Sequence, residues 1–571
     1  MNATKEKISK VFMDGRVFYI PFYQRAYVWT EKLWERFRDD MEYISTHQEE
    51  YFFGSIILKD LGETEDETDR QEVVDGQQRI TTMAIYIKVL SLRNPSVHLF
   101  DKKFRLDDGS LTIRHSQLDR EAFEQIANLT EDIALEGESN LIKAYNYFRA
   151  NIDLSKVDIN KIQARTVFIT INLDSGENEH KILDTINSLG VNLTTGELLK
   201  NHLFNEETED RYNSIWKPVF EADQKCLNFW SGEYTVGRTK TAIQEGFFYT
   251  LLQIIMHDPK NNISSDQKKE FRKFDSLFEN YKKLISFGHW DKIDFAKEIV
   301  EYAKLYRSIF NPHILKEVDS TSTQLKRIML MVFSLDASTV LPYVLYILRN
   351  VQDQAEQNKI FEYLEAYIVR RQICHTKNGN YSDLFTENLI GKQTNSYVAL
   401  KKYIDDRDSS LNMPTNDEVE ESIKSYNGLS SIKARAILYL LESKLRDEKY
   451  DSNLKEFDKY SLEHLMPRSW VTYWMPDDVE EDKKQEFVQN RNNIINTLGN
   501  LAIITQPLNA SIRDSAWVKK KNGSNGRTGL VGYASNLVTL KDVLTKMEWN
   551  EATIADRAVW LARKVNEVWG V

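Results

Sequence analysis

Residues 71–92 read QEVVDGQQRITTMAIYIKVLSL, and this stretch predicts a strand, a short polar loop and a helix in direct succession. The strand-like run ends at Val74, and the apolar residues after the loop recur at helical spacing: Ile80, Met83, Ala84, Ile87 and Leu90. A helix N-terminus presents free backbone N–H groups and the positive end of the helix dipole, so it attracts anions. The stretch therefore predicts an α/β domain with an anion site at its strand–helix junction.

The side chains of this loop suit a bound phosphate. Gly76 permits close backbone approach, and Arg79 offers a planar guanidinium that binds phosphate oxygens in pairs. Asp75 is a candidate Mg²⁺ ligand or base, and Gln77 and Gln78 are candidates for orienting a water molecule. The alternative for Asp75 is a plain helix N-cap.

A second polar pair, Gln24 and Arg25, lies within the aromatic segment 20–29, IPFYQRAYVW. Flanking aromatic rings can stack on a nucleobase while the amide and guanidinium hydrogen-bond to it. The alternative is that the aromatic residues belong to the core and Arg25 is a surface or paired charge. Neither GxxxxGK(S/T) nor GxGxxG occurs, which excludes a P-loop and a Rossmann dinucleotide site.

Three regions differ in pattern: residues 1–205 are mixed α/β, residues 206–404 are almost wholly helical, and residues 405–571 combine short extended pieces with helices. In the first region we further predict strands over 51–58 and 166–173. We also predict a helix over 179–188, closed by Gly190, and a helix over 194–204, capped by Thr194 and Glu197. In the third region we predict a linker over 406–419 and a polar loop over 522–532. We also predict helices over 431–446 and 554–569.

The composition limits the class of protein. The chain has 571 residues, a formal net charge of −11 and two distant cysteines, Cys226 and Cys374, which exclude a disulfide framework and fit a reducing cytoplasm. No apolar run suits a signal peptide or a membrane span, so we expect a cytoplasmic protein without a membrane partner. The acidic charge argues against a pure DNA-binding module, yet it is compatible with an enzyme that contacts DNA in one basic cleft.

A second polar constellation lies near the C-terminus: EHLMP (463–467), LGNLAII (498–504) and Asn509. Phosphodiester cleavage needs a base that activates water, a cation that stabilises the transition state and a group that orients the base. His464 is the candidate base, and Asn500 is the candidate that orients its imidazole. Glu463 and Asn509 are candidate oxygen ligands for Mg²⁺. The alternative is a structural histidine in an apolar setting.

Basic residues follow this constellation: Arg513, Lys519, Lys520 and Lys521. They are candidates for contacts with a DNA phosphate backbone. The alternative is a solvated charged face without a nucleic-acid partner.

The motifs of the first region resemble the N-terminal domain of GmrSD-type modification-dependent restriction enzymes. The similar strings are IPFYQRAYVW (20–29), VVDGQQRITT (73–82) and FITINLDSGENEHKILDTINSLGVNLTTGELLKN (168–201). The resemblance implies a ParB/sulfiredoxin-like domain that hydrolyses a nucleoside triphosphate (GTP, UTP, CTP or ATP) at Asp75–Arg79, joined in space by Gln24 and Arg25. Asn187, Gly190, Leu193 and Lys200 also match the family, in a block whose role is mostly structural. Residues 363–371 resemble the family's helical connector.

The C-terminal motifs resemble the HNH, or ββα-metal, nuclease domain of the same family. The similar strings are EHLMP (463–467), NTLGNLAIIT (496–505) and LNASIRDSAWVKKK (508–521). The resemblance implies that His464 is the general base, Asn500 the orienting residue and Asn509 the metal-side residue. Glu463 stands where the family more commonly has aspartate, so its role as a ligand departs from the pattern.

Together these resemblances imply an α+β multidomain protein with a ParB-like domain (1–205), an α-helical connector (206–404) and a ββα-metal nuclease domain (405–571). The implied function is a nucleotide-regulated, Mg²⁺- or Mn²⁺-dependent endonuclease that cuts modified phage DNA. Because one HNH site nicks one strand, double-strand cutting implies a homo-oligomer or two successive nicks. The alternatives are a nucleotide-hydrolysing DNA-binding regulator without nuclease activity and a ParB-like partition protein.

Overall fold

Six strands of the computed structural model form one mixed sheet: β1 (Asn2–Lys7), β2 (Arg16–Tyr19), β3 (Tyr51–Glu63), β4 (Asp69–Asp75), β5 (Ile113–Arg114) and β6 (Thr166–Leu173). Their order in the sheet is β1-β6-β3-β4-β2-β5. β2 runs parallel to β4 and β5, β3 runs parallel to β6, and the β1–β6 and β3–β4 pairs are antiparallel. The strands predicted over 51–58 and 166–173, and at the start of the stretch 71–92, are confirmed.

The structure describes residues 2–13, 15–21, 24–63, 69–94, 98–115, 117–173, 194–237, 239–271, 276–376, 381–405, 411–446, 453–476, 479–524 and 526–570. The predicted helix 179–188 lies outside the described residues, as do the family-matching residues Asn187, Gly190 and Leu193. Lys200 is described, and its ammonium pairs with Glu221 at 2.7 Å in a buried position, which agrees with a structural role.

The chain forms two compact units, Met1–Trp230 with Lys292–Lys297 and Ser231–Asp291 with Glu298–Val571. Most of the predicted connector (206–404) and all of the predicted nuclease region (405–571) therefore lie in the second unit. The sheet belongs entirely to the first unit.

The helix Gln77–Arg93 begins directly after β4 and forms the centre of the first unit's core. Its N-cap is Gly76, whose φ of +100° is a left-handed conformation that favours glycine. The predicted apolar face is confirmed, because five residues are at most 4% exposed: Ile80, Met83, Ala84, Ile87 and Leu90. Burying one large aliphatic side chain contributes about 1.5–3 kcal/mol, so this face fixes the loop before the helix to the core.

The other α-helices of the first unit are Ile8–Val11, Glu31–Thr46, Leu99–Phe104, Gln117–Ala127, Asn140–Asn151, Ile159–Arg165, Thr195–Leu203, Glu209–Arg211, Lys217–Phe220 and Gln224–Ser231, the last ending at the unit boundary. The helix predicted over 194–204 is confirmed with its capping box. Thr194 Oγ1 accepts a hydrogen bond from the Glu197 backbone at 3.2 Å, and Glu197 Oε2 accepts one from the Thr194 backbone at 2.7 Å.

The second unit is mainly helical: Ile243–His257, Ser265–Lys269, Leu277–Phe287, Lys292–Ile309 (which begins in the first unit), Gln324–Ser334, Leu341–Asn350, Gln354–Ile373, Tyr381–Asp383, Tyr397–Asp405, Asn416–Ser425, Ser431–Leu445, Val471–Trp474, Lys484–Ile494, Gln506–Ile512, Trp517–Asn522, Leu530–Tyr533 and Glu551–Trp569. Among its described residues, the strands form three pairs: β7 (Glu233–Val236) with β8 (Thr239–Ala242), β9 (Tyr460–His464) with β10 (Leu501–Thr505), and β11 (Gly523–Ser524) with β12 (Arg527–Thr528). Within the described ranges, no helix is both long and apolar enough to cross a lipid bilayer.

Two predictions for the C-terminal region are corrected. The predicted linker 406–419 overlaps the helix Asn416–Ser425, because Thr415 and Glu418 form a capping box in which Thr415 Oγ1 accepts from the Glu418 backbone at 3.2 Å. Asp417 and Glu418 lie in the first turn of that helix, where negative charge is favoured. Residues 406–410 of the predicted linker lie outside the described residues. The predicted loop 522–532 contains the β11–β12 pair and the start of a short helix.

Candidate active site

β9 and β10 place the predicted nuclease residues at one end of an antiparallel pair. His464 ends β9, opposite Leu501 at the start of β10. The helix Gln506–Ile512 follows β10 at once, and Pro507 lies in its first turn, where a missing N–H donor costs little. The second unit thus presents an antiparallel strand pair whose second strand is followed directly by a helix.

An open pocket of about 560 Å³, which we call the His464 pocket, lies around this element. The predicted site residues that line it are Glu463, His464, Asn509, Arg513 and Lys520. Arg435, Arg468 and Asp514, which the sequence did not single out, also line it. The structure therefore brings most of the second constellation together around the candidate base.

A neighbouring asparagine fixes the orientation of the imidazole. Asn496 Oδ1 lies 3.0 Å from His464 Nε2, and Arg468 Nε lies 3.3 Å from the same nitrogen. Nε2 cannot donate to Asn496 and accept from Arg468 at once, and we assign the proton by the shorter contact. This assignment leaves His464 Nδ1 as the basic nitrogen. Burial lowers the pKa of His464 to about 4, so the ring is neutral at neutral pH and able to accept a proton.

Asn500 does not make the predicted contact with the imidazole. Its side chain is fully buried and makes four hydrogen bonds: Oδ1 accepts from Met466 N (2.8 Å) and Trp549 Nε1 (3.0 Å), and Nδ2 donates to Met466 O (2.9 Å) and Ile495 O (2.8 Å). These bonds use the full capacity of the amide. Asn500 therefore anchors the turn that follows His464, while the contact with the ring belongs to a different asparagine.

Glu463 and Lys520 form a buried ion pair behind His464. The Lys520 ammonium donates to Glu463 Oε1 and, at 2.7 Å, to the backbone carbonyl of His464. Their side chains are only 6% and 1% exposed. Burial raises the pKa of Glu463 and lowers that of Lys520, and their mutual attraction opposes both shifts. The pair therefore holds the end of β9 in place from behind.

This pairing corrects the predicted basic track for DNA. Lys520 is buried and engaged, whereas Arg513 and Lys519 are exposed. Successive residues of a helix point about 100° apart, so the lysines of the helix Trp517–Asn522 cannot share one face. Arg513, with its Nε donating to Ala510 O at 3.1 Å, is the predicted DNA-binding residue that remains exposed at the His464 pocket.

Oxygen atoms near His464 are available to a ligand. Asn509 Nδ2 donates to Ser461 Oγ and to Leu462 O, both at 3.0 Å, which directs Oδ1 away from the strand. Asp514 uses Oδ2 to accept from Ser469 Oγ at 2.6 Å, and Oδ1 has no hydrogen bond to a described residue.

The oxygen atoms that line this pocket are of the kind that a hard divalent cation prefers. Magnesium is commonly held by one or two carboxylates, with waters and substrate phosphate as the other ligands. Asn509, Asp514 and the second oxygen of Glu463 supply donors of that kind. In the part of the chain that the structure describes, no three His, Cys, Asp or Glu side chains cluster closely enough to hold a metal by themselves.

In the first unit, Gln24 and Arg25 meet the loop after β4, as predicted. Gln24 Nε2 donates to Val74 O at 2.9 Å, and Gln77 Nε2 donates to Arg25 O at 3.1 Å. Both segments lie at the carboxyl end of the parallel strands β2 and β4, where ligands bind in open α/β sheets.

The two glutamines of the loop bind protein backbone. Gln78 Nε2 donates to Ala26 O at 3.3 Å, and Gln78 Oε1 accepts from Val28 N at 3.0 Å. Gln77 and Gln78 are each 8% exposed. These contacts fasten residues 24–28 to the helix Gln77–Arg93.

Asp75 and Arg79 remain accessible at this junction, with side chains 36% and 29% exposed. Arg79 NH1 lies 3.8 Å from Asp75 Oδ2 and donates to Ser55 O at 3.0 Å. The N-cap is Gly76, so the alternative that Asp75 is a plain N-cap is wrong. A β-carbon on Gly76 would lie 2.3 Å from Ile56 Cγ2, which explains the glycine in this motif.

Two models of known families match this chain, and each covers one of the two candidate sites. The model of the N-terminal domain of GmrSD restriction endonuclease matches residues 8–204, and the model of the C-terminal domain of GmrSD restriction endonucleases matches residues 413–564. The chain belongs to the GmrSD restriction endonuclease family. It is therefore a restriction endonuclease, and its partner is DNA. No curated protein matches this GmrSD-family chain.

Three site residues of this GmrSD-family chain escaped the sequence reasoning: Asn496, Asp514 and Arg468. Asn496 begins the string NTLGNLAIIT, so its position inside a motif was an available signal. The string also contains Asn500, and spacing alone does not tell which amide reaches the ring. Asp514 likewise lies inside the string LNASIRDSAWVKKK, whereas Arg468 follows EHLMP and lies outside the quoted motifs.

We predict that Asn496→Ala lowers the rate of DNA cleavage about 10- to 100-fold, because the imidazole loses the acceptor that holds its proton on Nε2. Single-turnover cleavage under saturating DNA measures the effect, and DNA affinity is expected to stay unchanged. Asn493→Ala is the matched control, because Asn493 is an exposed asparagine on the helix Lys484–Ile494, just before the turn that holds Asn496. Equal rates for the two variants would contradict the assigned role.

Proposed function

We propose that this GmrSD-family chain is an HNH-type DNA endonuclease in which His464 activates the attacking water. The observation that supports this most strongly is a neutral imidazole at the end of β9, fixed by Asn496 through Nε2 and lying in an open pocket with Arg513. His464 Nδ1 takes a proton from water while the water oxygen bonds to phosphorus. The ester P–O bond breaks on the opposite side, and the leaving oxygen takes a proton from solvent.

In the same proposal, Glu463, Asn509 and Asp514 would hold Mg²⁺ or Mn²⁺. The cation supplies electrostatic stabilisation of the charge on the phosphorane and the leaving oxygen. Lys520 positions Glu463 and the backbone of His464, and exposed Arg513 contacts a phosphate of the DNA backbone. The ββα-metal assignment is supported by the succession β9, β10 and the helix Gln506–Ile512.

We further propose that the first unit is a ParB/sulfiredoxin-like domain that binds and hydrolyses a nucleoside triphosphate (GTP, UTP, CTP or ATP). The nucleotide phosphates lie at the N-terminus of the helix Gln77–Arg93, with Arg25 and Arg79 as cations and Asp75 as base or Mg²⁺ ligand. The support is the contact between the segment 24–28 and this helix. Nucleotide occupancy regulates how the helical connector holds the nuclease site.

The proposed substrate is modified phage DNA, cut in the cytoplasm as a defence against infection. The support is membership in the restriction endonuclease family. Because one His464 site cuts one strand, cleavage of both strands takes place in a homo-oligomer or in two successive nicks.

Cleavage of modified phage DNA and of unmodified plasmid, each with Mg²⁺ and with or without GTP, tests the proposal. We expect Mg²⁺-dependent cleavage that GTP changes and that modification favours. Nucleotide hydrolysis without cleavage of any substrate would instead support the DNA-binding regulator.

We predict that Asp75→Asn lowers nucleotide hydrolysis at least about 100-fold, because the loop loses its accessible carboxylate beside Arg79. Phosphate release from GTP measures the loss. Asp107→Asn, an exposed aspartate of the first unit, is the matched control and is expected to hydrolyse GTP like the unchanged protein. Full activity in Asp75→Asn would remove Asp75 from the proposed site.

A further inference from the structure

A second cavity, of about 460 Å³, lies in the first unit beside the edge strand β5. We call it the edge pocket, and its lining residues all come from the segment 105–128. They include Arg105, Ser110, Arg114, His115, Arg120 and Phe123. β5 runs parallel to β2, so the residues after β5 lie at the same end of the strands, the carboxyl end, as the segment 24–28. The edge pocket is nevertheless built from different residues than the loop Asp75–Arg79.

Two of its three arginines have guanidinium groups available to a ligand. Arg105 is occupied, since it donates to Asp101, Gly109 O, Ala127 O and Asn128. Arg114 is exposed and lies over the ring of Tyr19 at 5.2 Å, with no hydrogen bond to a described side chain. Arg120 is exposed, and its Nε makes only a long contact of 3.5 Å with the backbone carbonyl of His115.

One buried polar atom between these arginines lacks a partner. His115 Nδ1 is buried and has no hydrogen-bond partner among the described residues. His115 uses its other nitrogen, Nε2, in a 3.3 Å contact with Thr81 Oγ1. Burial lowers the pKa of His115 to about 3, so the ring is neutral and adds no charge to the pocket. Unpartnered buried polar groups are uncommon and call for an explanation.

The remaining wall is apolar and of a size that suits a ring. Leu111, Ile113 and Phe123 line the pocket, and Phe123 packs against His115 with ring centroids 4.5 Å apart. Glu124 is the one carboxylate among the lining residues. A volume of several hundred Å³ with apolar walls and a few polar groups is typical of a small-ligand site.

We propose that the edge pocket binds one nucleotide unit, with its phosphate on Arg114 and Arg120 and its base against Leu111, Ile113 and Phe123. Guanidinium groups bind phosphate through paired charge-assisted hydrogen bonds. Ser110 and His115 also line the pocket between these residues. The same chemistry serves a free nucleotide or a nucleotide within a DNA strand. The site is separate from the loop Asp75–Arg79 and does not depend on the proposed nuclease chemistry.

The test compares binding by the full chain and two variants. Arg114→Gln/Arg120→Gln removes the two cations, and Ser110→Phe fills the pocket without a change of charge. The probes are a fluorescent GTP analogue and a fluorescein-labelled 12-nucleotide DNA, single-stranded and duplex, with EDTA present for the DNA probes. Lys32→Gln/Arg36→Gln, two exposed cations of the same unit, is the charge-matched control. Thermal melting verifies that each variant is folded.

We expect both pocket variants to bind at least one probe about tenfold more weakly than the control, which corresponds to the loss of a charge-assisted hydrogen bond. A loss confined to the DNA probes identifies a strand as the ligand, and a loss confined to the GTP analogue identifies a free nucleotide. Binding within twofold of the control for all probes would overturn the proposal. Weaker binding by the arginine variant alone would also overturn it, because general surface charge would then explain the effect.

Discussion

His464→Ala is expected to lower DNA cleavage by about 10²- to 10⁴-fold, the range that a positioned general base contributes. The imidazole is neutral and held by Asn496, so its removal leaves water without a proton acceptor at that position. The other residues proposed to bind phosphate and cation at the His464 pocket are unchanged, so DNA affinity is expected to change little. Single-turnover cleavage and equilibrium DNA binding, measured side by side, check both statements.

His313→Ala provides the matched control, because His313 is exposed and lies elsewhere in the second unit. The control is expected to cleave at the unchanged rate. If His464→Ala cleaves as fast as this control, another group activates the water, and the assignment of the base fails. If His464→Ala loses DNA binding in parallel with cleavage, the histidine acts on the structure of the pocket.

The elements around the first site were predictable because their signals are local. The strand before Asp75, the break at Gly76 and the apolar face after it all occur within twenty-two residues, and periodicity reports them directly. The roles of Gln77 and Gln78 were not predictable in this way. Their partners are backbone atoms some fifty residues earlier in the chain, and a polar side chain at a loop suits a ligand and a backbone clamp equally well.

The second site shows the same division. His464 and Asn509 were placed correctly in one pocket, because a histidine at a strand end and an asparagine on the next helix follow from the order of elements. Asn500 and Lys520 were misassigned, since burial decides their roles. An amide that satisfies four buried partners and a lysine that neutralises a buried carboxylate are indistinguishable in sequence from an orienting amide and a phosphate-binding lysine.

Burial of charge also explains why the predicted connector and the predicted nuclease region share one compact unit. Glu365 is fully buried on the helix Gln354–Ile373, and Arg327 donates to both of its oxygens at 2.8 and 2.9 Å. Gln324 also donates to Glu365, as does Trp569 Nε1 at 2.9 Å. Trp569 ends the helix Glu551–Trp569, so one carboxylate from the connector joins three helices and anchors the C-terminal one.

Glu365→Gln is expected to lower the free energy of unfolding by about 3–5 kcal/mol. Removing one partner of a buried ion pair leaves the other charge, here Arg327, without compensation. The new amide NH2 group also points at hydrogen-bond donors, whereas the carboxylate oxygen that it replaces accepted from them. The side chain keeps its size, so the effect is electrostatic and not a cavity. Urea unfolding followed by tryptophan fluorescence measures the loss, and cleavage activity is expected to disappear at the same urea concentration.

Glu362→Gln is the matched control, since Glu362 is exposed on the same helix three residues earlier. Exposed ion pairs contribute at most about 1 kcal/mol, so its midpoint is expected to shift little. Equal midpoints for the two variants would mean that Arg327 finds other partners, and Leu440 O, already 3.4 Å from its NH2 group, is the nearest one. A large shift of the unfolding midpoint for Glu365→Gln, together with loss of cleavage, would show that the nuclease site depends on the helical region that precedes it. The carboxylate lies in that region, and its partner Trp569 lies near the end of the chain.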